Sequence, residues 1–147
     1  MTEIRSLRET DRSDWERLFT AYGAFYETAF TPAILDGVWA WLMDDRVELR
    51  GLVATRNDAI VGFALFRSVL DTFTAGTSFY LDDLFVDPAA RGTGAATALI
   101  NAIGDDARSR GATVVRWQTA EDNHTAQSVY NKLASRTTWV TYEKELG

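Results

Sequence analysis

The stretch that most constrains the fold is residues 80–100, YLDDLFVDPAARGTGAATALI. An apolar run with two adjacent aspartates ends at Pro88, and an arginine and two glycines then lead into helix-forming residues. The first N–H groups of a helix lack backbone partners, and its dipole places about half a positive charge there. Glycines let a phosphate approach the backbone, and Arg91 adds a fixed cation. The loop RGTGAA is therefore predicted to bind a pyrophosphate.

Two other phosphate-binding loops fit this stretch poorly. A Walker A loop ends in Gly-Lys-Ser/Thr, which is absent. The dinucleotide fingerprint needs Gly or Ala where Thr97 stands, and a tight turn directly after its strand, whereas DPAA intervenes. Glu121 could mimic the ribose-binding acid of that fold, but only one βα unit follows it. Taken alone, the glycines are also explained by a turn that starts a helix and binds no ligand.

Composition limits the class of protein. A chain of 147 residues suits one domain. The absence of cysteine excludes a disulfide framework, a thiolate nucleophile and a cysteine-ligated metal. A net charge of −6 disfavours nonspecific binding to nucleic acid or anionic membranes. No apolar stretch approaches the roughly 18 residues of a membrane span, and the polar start does not resemble a signal peptide. We expect a cytoplasmic protein without nucleic-acid or membrane partners.

Hydrophobic periodicity predicts the element order β-α-α-β-β-β-α-β-α-β. Helices are predicted after Ser13, after Pro32, from the glycines to about Arg110, and over 124–134. Strands are predicted at 3–8, 48–55, 59–67, 78–86, 113–120 and 137–146. Because helices interrupt the strands, the fold class is α/β, with a mixed sheet covered by helices.

Three motifs together resemble the GNAT superfamily of N-acetyltransferases. RGTGAA (91–96) is similar to its Arg/Gln-x-x-Gly-x-Gly/Ala signature, and YLDDLFVDP to its fourth strand. NHTAQSVYNKL (123–133) is similar to its Asn-x-x-Ala-x-x-x-Tyr segment. Their order and spacing agree over roughly 48 to 133, and YLDDLFV is most similar to the diamine (spermidine/spermine-type) branch. The resemblance implies a single-domain fold over 1–147, with a mostly antiparallel central sheet flanked by about four helices.

The sequence departs from the family after the tyrosine-bearing helix. The family often continues there with Gly-Phe, whereas LASRTTW stands here. The departure concerns the path into the last strand and leaves the cofactor motifs intact.

The resemblance implies acetyl-CoA as co-substrate and direct transfer to an amine. The absence of cysteine agrees, because no acyl-cysteine intermediate is available. The backbone N–H near Leu84 would stabilise the tetrahedral oxyanion. Asn123 is expected to cap its helix and to contact the pantetheine arm, and Lys132 to reach the CoA phosphates. A plain helix cap and a solvated surface lysine are the alternatives to these cofactor contacts. The implied cofactor contacts are Leu84, Phe85, Val86, Arg91, Gly92, Thr93, Gly94, Ala95, Ala96, Thr97, Asn123 and Lys132.

The resemblance assigns Tyr130 the role of general acid toward the departing CoA thiolate. A tyrosine of pKa about 10 is protonated at neutral pH and a thiol has a pKa near 8.5, so the proton transfer is downhill. By periodicity alone, Tyr130 would be a core aromatic of an amphipathic helix. The Asn123–Ala126–Tyr130 spacing favours the catalytic role.

Two aspartates are the candidates for binding the acceptor amine. Residues alternate along a strand, so Asp82 and Asp83 are expected to face opposite sides. By similarity to the diamine branch, Asp82 is expected to hold the cationic acceptor and accept its proton, with Asp83 taking this role if the strand bulges. Structural hydrogen bonding is the alternative for either. Tyr26 and Glu27 belong to the early helices, which flank the acceptor pocket in this family, although such residues are more often core or surface.

The predicted acceptor is a small cationic primary amine, a polyamine or an amino compound. Two alternatives remain open: an acetyltransferase of protein N-termini or lysines, and a non-catalytic acyl-CoA-binding module. His124 is assigned no catalytic role and no metal site is expected. A homodimer, through exposed strand edges or the apolar second helix, is compatible with the sequence.

Overall fold

The computed structural model describes residues 1–147 and contains a five-stranded sheet with helices on both faces. The strands are β1 (Thr2–Ser6), β2 (Leu49–Arg56), β3 (Ala59–Asp71), β4 (Gly76–Val86) and β5 (Val115–Arg116). The helices are α1 (Arg12–Phe25), α2 (Pro32–Leu42), α3 (Ala95–Ser109) and α4 (His124–Leu133). The predicted fold class is confirmed. None of the helices has the length and apolarity that crossing a membrane requires.

The strands follow one another across the sheet in chain order, β1-β2-β3-β4-β5. The first three pairs are antiparallel and β4 pairs with β5 in parallel. A tight turn at Asn57 and Asp58 joins β2 to β3, with φ angles of 51° and 64°. Asn and Asp tolerate this left-handed region better than other non-glycine residues, so the turn closes without glycine.

Each face of the sheet carries its own hydrophobic cluster. On one face, α1 and α2 bring Trp15, Phe19 and Trp39 against Phe63 and Phe85. On the other face, the apolar side of α3 packs on strand residues that include Ala64, Phe66, Phe79 and Leu81. Side chains of α4 join this second cluster only in part, because none of its residues is fully buried. The packing therefore fixes α1 and α3 firmly and leaves α4 at the margin.

A buried ion pair fixes the start of α1. Asp11, 5% exposed, accepts hydrogen bonds from two guanidinium nitrogens of Arg5, at 2.7 and 2.9 Å, and from the N–H of Arg8 at 2.7 Å. These bonds, that of Arg5 first, hold the pKa of Asp11 below its ordinary value. The contact ties β1 to the helix that later supplies the tyrosines of the site.

Of two strands predicted near the end of the chain, one is shorter than predicted and the other is wrong. The strand predicted at 113–120 is limited to Val115–Arg116, and the strand predicted at 137–146 is absent, since residues 135–147 form neither helix nor strand and are exposed. Alternation of apolar and polar residues gives a segment the capacity to pair, but a ladder also needs a partner strand. One side-chain hydrogen bond, from Gln118 to Thr141 at 3.0 Å, links the segment to the body.

Candidate active site

The site begins at a gap beside β4. The first half of β4, Gly76–Tyr80, pairs with β3 on one edge and, at Phe79 and Tyr80, with β5 on the other. The second half, Leu81–Val86, pairs with β3 alone, since no residue beyond Tyr80 pairs with β5. The two parallel strands therefore separate, and one backbone edge of β4 is left without a partner strand.

The register shows which backbone groups face this gap. The N–H of Asp87 donates to the carbonyl of Val61 at 2.8 Å, so these residues are a hydrogen-bonded pair. In an antiparallel ladder, successive residues alternately face the partner and turn away from it. Leu84 and Val86 therefore present their N–H and C=O groups to the open edge. Phe85 faces β3 instead, and its side chain lies in the α1 core.

The loop after β4 is shaped by two glycines. Gly92 and Gly94 have φ angles of 79° and 81°, a region that favours glycine over residues with a Cβ. The Thr93 hydroxyl donates to the carbonyl of Ala90 at 2.6 Å and closes the turn. The N–H groups of residues 92–97 find no acceptor in the chain. Six consecutive free donors at the start of a 15-residue helix are an arrangement that can accept an anion.

A diphosphate fits the residues around this loop. A Cβ added at Gly92 or Gly94 would meet no atom of the chain within 4 Å, so the space over the loop is open. Arg91 is exposed beside it and takes part in no ion pair or side-chain hydrogen bond. The free donors and the unpaired edge of β4 lie along one continuous run of chain. This geometry suits a ligand with a phosphate end and a polar arm.

A β-bulge in β4 changes the predicted placement of the two aspartates. Leu65 pairs with Asp83 and Phe66 pairs with Leu81, so Asp82 is an extra residue without a partner. A bulge adds one residue to the strand and interrupts the alternation of side chains. Asp82 and Asp83 therefore both lie on the sheet face that α1 covers. The expectation that they face opposite sides is wrong, because alternation along a strand holds only in an unbroken ladder.

Asp82 is held by a neighbouring strand. Its two carboxylate oxygens accept from the Nε of Arg67 at 2.9 and 3.2 Å. The Arg67 guanidinium also lies 5.3 Å from the ring centre of Tyr80. The charge of Asp82 is thus balanced within the protein.

Asp83 has no cation against it and points toward α1. Tyr22, a half-buried side chain packed edge-on against Phe63 and Phe85, lies beside it. Burial raises the pKa of Asp83 above its ordinary value, and the contact with Tyr22 lowers it in part. Burial, followed by the charge of Asp83, raises the pKa of Tyr22. This carboxylate is therefore a stronger base than an exposed aspartate, and its charge is uncompensated.

Tyr130 lies on α4 beside the α3 face of the sheet. Its ring packs edge-on against Trp117, with ring centres 5.5 Å apart. Burial raises its pKa, and the nearby Tyr26 adds to the shift, so the hydroxyl carries its proton well above neutral pH. That protonation state suits a proton donor.

The remaining predicted residues occupy the rim. Asn123 caps α4, with its Oδ1 accepting from the N–H of Ala126 at 3.2 Å, as the sequence predicted. Lys132 is exposed on α4, and Glu27 is exposed just after α1 with a φ of 56°. Tyr26 ends α1 and packs edge-on against Tyr22, with ring centres 5.2 Å apart.

Two residues of this region were not singled out from the sequence. Arg67 neutralises Asp82, and Trp117 supports Tyr130. An arginine within an apolar strand was a usable signal for an internal ion pair. Trp117 gave no signal, because nothing in the sequence shows which aromatic meets Tyr130.

Comparison with known proteins agrees with this geometry. The model of the acetyltransferase (GNAT) family matches residues 6–134. The chain belongs to the GNAT family of acetyltransferases. It is an acetyl-CoA-dependent N-acetyltransferase, as named relatives of the family are.

Three similar proteins illustrate the range of this GNAT chain's relatives. The D-amino-acid N-acetyltransferase HPA3 of Saccharomyces cerevisiae is 29% identical over 96% of this chain and 89% of its own. The thialysine N-epsilon-acetyltransferase of Mus musculus is 26% identical over 92% and 84%. An aminoglycoside acetyltransferase, meta-AAC0020, from a soil metagenome has a TM-score of 0.84 at 20% identity, covering 99% and 97% of the two chains. This last likeness concerns the fold alone.

Proposed function

We propose that this acetyltransferase moves the acetyl group of acetyl-CoA directly to a primary amine of a small cationic acceptor. The observation that carries the proposal is the open edge of β4 running into six unpaired N–H groups. Acetyl-CoA supplies a thioester, whose carbonyl an amine can attack. All other steps are assigned to residues of this chain.

Cofactor binding is assigned to the loop and the open edge. The N–H groups of residues 92–97 would hold the diphosphate, with Arg91 adding a cation. Leu84 and Val86 would pair through their backbone with the amide groups of the pantetheine arm, as an added strand does. Asn123 and Lys132 would border the arm and the phosphates. These contacts use mainly backbone groups, so they orient the ligand independently of most side chains.

Catalysis needs an oxyanion donor, a base and an acid. The N–H of Leu84 faces the gap and would stabilise the charge that develops on the carbonyl oxygen. Asp83 would bind the cationic acceptor and accept its proton, directly or through water, because it is the uncompensated carboxylate of the bulge. Tyr130 would donate its proton to the departing thiolate. Asp82 would contribute by orienting Arg67 beside the acceptor site.

The negative charge of Asp83 decides which class of acceptor we assign to the site. An uncompensated, half-buried carboxylate beside Tyr22, whose ring packs edge-on against Tyr26, favours an ammonium group on an apolar stem. Polyamines and amino compounds both offer one. The named relatives act on D-amino acids and thialysine, whose carboxylate would need a cation, and Arg67 lies on the neighbouring strand.

A thiol-release screen with acetyl-CoA tests this proposal and orders the acceptors. We expect release with small diamines and amino compounds, and none with peptides whose only amine is the N-terminus. Turnover of peptides alone would transfer the assignment to protein acetylation. Heat of acetyl-CoA binding without thiol release from any amine would indicate a binding module.

The Tyr130→Phe variant tests the general acid. Loss of the proton donor is expected to lower kcat by about 10²-fold or more. The Kd of acetyl-CoA in calorimetry should stay near that of the unaltered enzyme, because the hydroxyl is not needed for binding. Tyr142→Phe, which removes an exposed hydroxyl outside the site, is the matched control. Full activity in Tyr130→Phe would remove the acid role from Tyr130.

A further inference from the structure

Arg67 is a cation with free donors on the sheet face that α1 covers. On β3, Leu65 packs in the cluster under α1, and Phe66 packs in the cluster on the opposite face. Side chains alternate along a strand, so Arg67 lies on the same face as Leu65. The Arg67 side chain is 45% exposed, so a ligand can reach it from solvent.

Two neighbouring side chains hold the Arg67 guanidinium in place. Its Nε donates to both carboxylate oxygens of Asp82, at 2.9 and 3.2 Å, and the group lies 5.3 Å from the ring centre of Tyr80. The other two nitrogens, Nη1 and Nη2, donate to no acceptor in the chain. A guanidinium stays charged, and a pair of its N–H groups matches the two oxygens of a carboxylate. One edge of the cation is therefore fixed and the other is free to bind an anion.

This free edge lies close to Asp83, the residue assigned to the acceptor amine. Leu65 is the β3 partner of Asp83, and Arg67 is two residues further along β3, a distance of about 7 Å. The contact with Asp82, the chain neighbour of Asp83, draws the guanidinium toward β4. Two hydrogen bonds of about 2.9 Å each, one at each end, leave room for only a few atoms between them. A ligand that binds both groups must therefore carry its ammonium and its anion close together.

The charges of the bulge argue against an acceptor with two ammonium groups. Asp82 and Asp83 supply two negative charges, but Arg67 already neutralises that of Asp82. The first ammonium of a diamine would meet Asp83, and the second would meet the cation of Arg67, which repels it. An amino acid presents an ammonium and a carboxylate, so each of its ends meets a group of opposite charge. The pair of ends discriminates between the two classes of acceptor.

We propose that Arg67 determines acceptor specificity by binding, through Nη1 and Nη2, a carboxylate that lies a few atoms from the reacting amine, as in an α-amino acid. The inference rests on the proposed function and narrows its acceptor, with the ammonium at Asp83 and the carboxylate at Arg67. Contact at both ends would turn the amine toward the open edge of β4, where the acetyl group is assigned.

Matched pairs of acceptors test the role of Arg67. Each amino acid, in both enantiomers, is compared with the amine that lacks its carboxylate: leucine with isopentylamine, phenylalanine with phenethylamine, and lysine with cadaverine. Thiol release from acetyl-CoA gives kcat/KM for every acceptor. In the pairs that turn over, we expect kcat/KM of the amino acid to exceed that of its amine by about tenfold or more, the effect of charged hydrogen bonds.

The Arg67→Gln variant should abolish this preference. We expect KM for the amino acid to rise with little change in kcat, because the lost contact lies away from the reacting atoms. The kcat/KM of cadaverine should rise, since removal of the cation leaves Asp82 free for a second ammonium. Arg67→Lys should restore part of the preference, because it keeps the charge and lacks the paired donors. Position 67 is exposed, so both variants should fold, which circular dichroism and calorimetric binding of acetyl-CoA check.

The matched control is Arg50→Gln. Arg50 lies on the neighbouring strand β2, is 39% exposed and pairs with an aspartate, Asp106, at 3.5 Å. That aspartate is on α3, so this ion pair lies on the sheet face away from the acceptor site. Arg50→Gln should leave the ratio of kcat/KM within every pair unchanged.

Several results would overturn the role of Arg67. They are equal kcat/KM within the pairs for the unaltered enzyme, a preference that survives in Arg67→Gln, and a preference lost to the same extent in Arg50→Gln. Thiol release from amines without any preference for the carboxylate would overturn this inference alone and leave the proposed function standing. Release from no acceptor of either kind would overturn the proposed function and this inference with it.

Discussion

The two halves of β4 differ although they belong to one strand. The first half, Gly76–Tyr80, pairs with β3 on one edge and, at Phe79 and Tyr80, with β5 on the other, whereas Leu81–Val86 have β3 on one edge and an open gap on the other. The bulge at Asp82 lies near the boundary. Closed pairing satisfies the backbone and supports the core, while an open edge leaves polar groups that a ligand can satisfy. The first half therefore determines stability and the second half is assigned the chemistry.

The largest expected effect is a loss of stability from a substitution in the first half of β4. Phe79 is buried on the α3 face, where its ring stacks with that of Phe66 at 6.0 Å. Phe79→Ala should lower the free energy of unfolding by about 3–5 kcal/mol, since it leaves a cavity in the core. Urea unfolding measures the loss. The fraction that remains folded should bind acetyl-CoA with an unchanged Kd. A higher Kd would mean that the two halves of β4 are not separate in function.

The next largest effect is on catalysis and compares the two aspartates of the bulge, Asp83 and Asp82. Asp83→Asn should lower kcat/KM by about 10²–10³-fold, because the acceptor loses its base and its counter-charge. Asp82→Asn, the matched control, should cost less than about tenfold, since Arg67 already neutralises this carboxylate. Steady-state kinetics with a diamine compares the two. Equal losses, or the larger loss at Asp82, would return the acceptor role to Asp82.

A smaller effect, on the affinity for acetyl-CoA, is expected at the loop that follows the second half of β4. Arg91→Ala should raise the Kd of acetyl-CoA by about tenfold, the effect of one charged hydrogen bond to a phosphate. The loss should shrink as salt is added, because salt screens an exposed cation. Arg136→Ala, in the exposed segment 135–147, removes an equally exposed cation and should leave the Kd unchanged. A salt-independent loss would indicate that Arg91 shapes the loop without contacting phosphate.

The smallest effect is a shift in pH dependence. Burial raises the pKa of Asp83, so the acidic limb of kcat/KM should lie above the ordinary range of an aspartate. The Tyr22 contact stabilises the charged carboxylate and lowers that pKa. Tyr22→Phe should therefore move the limb to higher pH, by about one unit or less. Tyr142→Phe should not move the acidic limb. If the limb also stays in place in Tyr22→Phe, Asp83 is not the group whose titration produces it.

Local features were predictable from the sequence because local chemistry decides them. Gly92 and Gly94 allow φ angles that other residues resist, and Asn123 caps a helix through its own side chain. The apolar face of α3 follows from spacing alone. The helices and the loop therefore came out close to their predicted places, together with the fold class.

Pairing between distant segments was less predictable. Alternation placed Asp82 and Asp83 on opposite faces, but the register of β3 against β4 added a bulge and brought them to one face. The segment 137–146 has the pattern of a strand and forms none, since no strand of its own chain pairs with it.

By itself, the sequence determined the glycine loop after β4, the helices and the α/β class, because these depend on φ preferences, caps and periodicity within a few residues. Only the tertiary structure decided that β4 and β5 separate after Tyr80, that Asp83 is the uncompensated carboxylate, and that the end of the chain is left exposed. Each of these depends on which backbone edge finds a partner, and a ladder is a property of two segments rather than one.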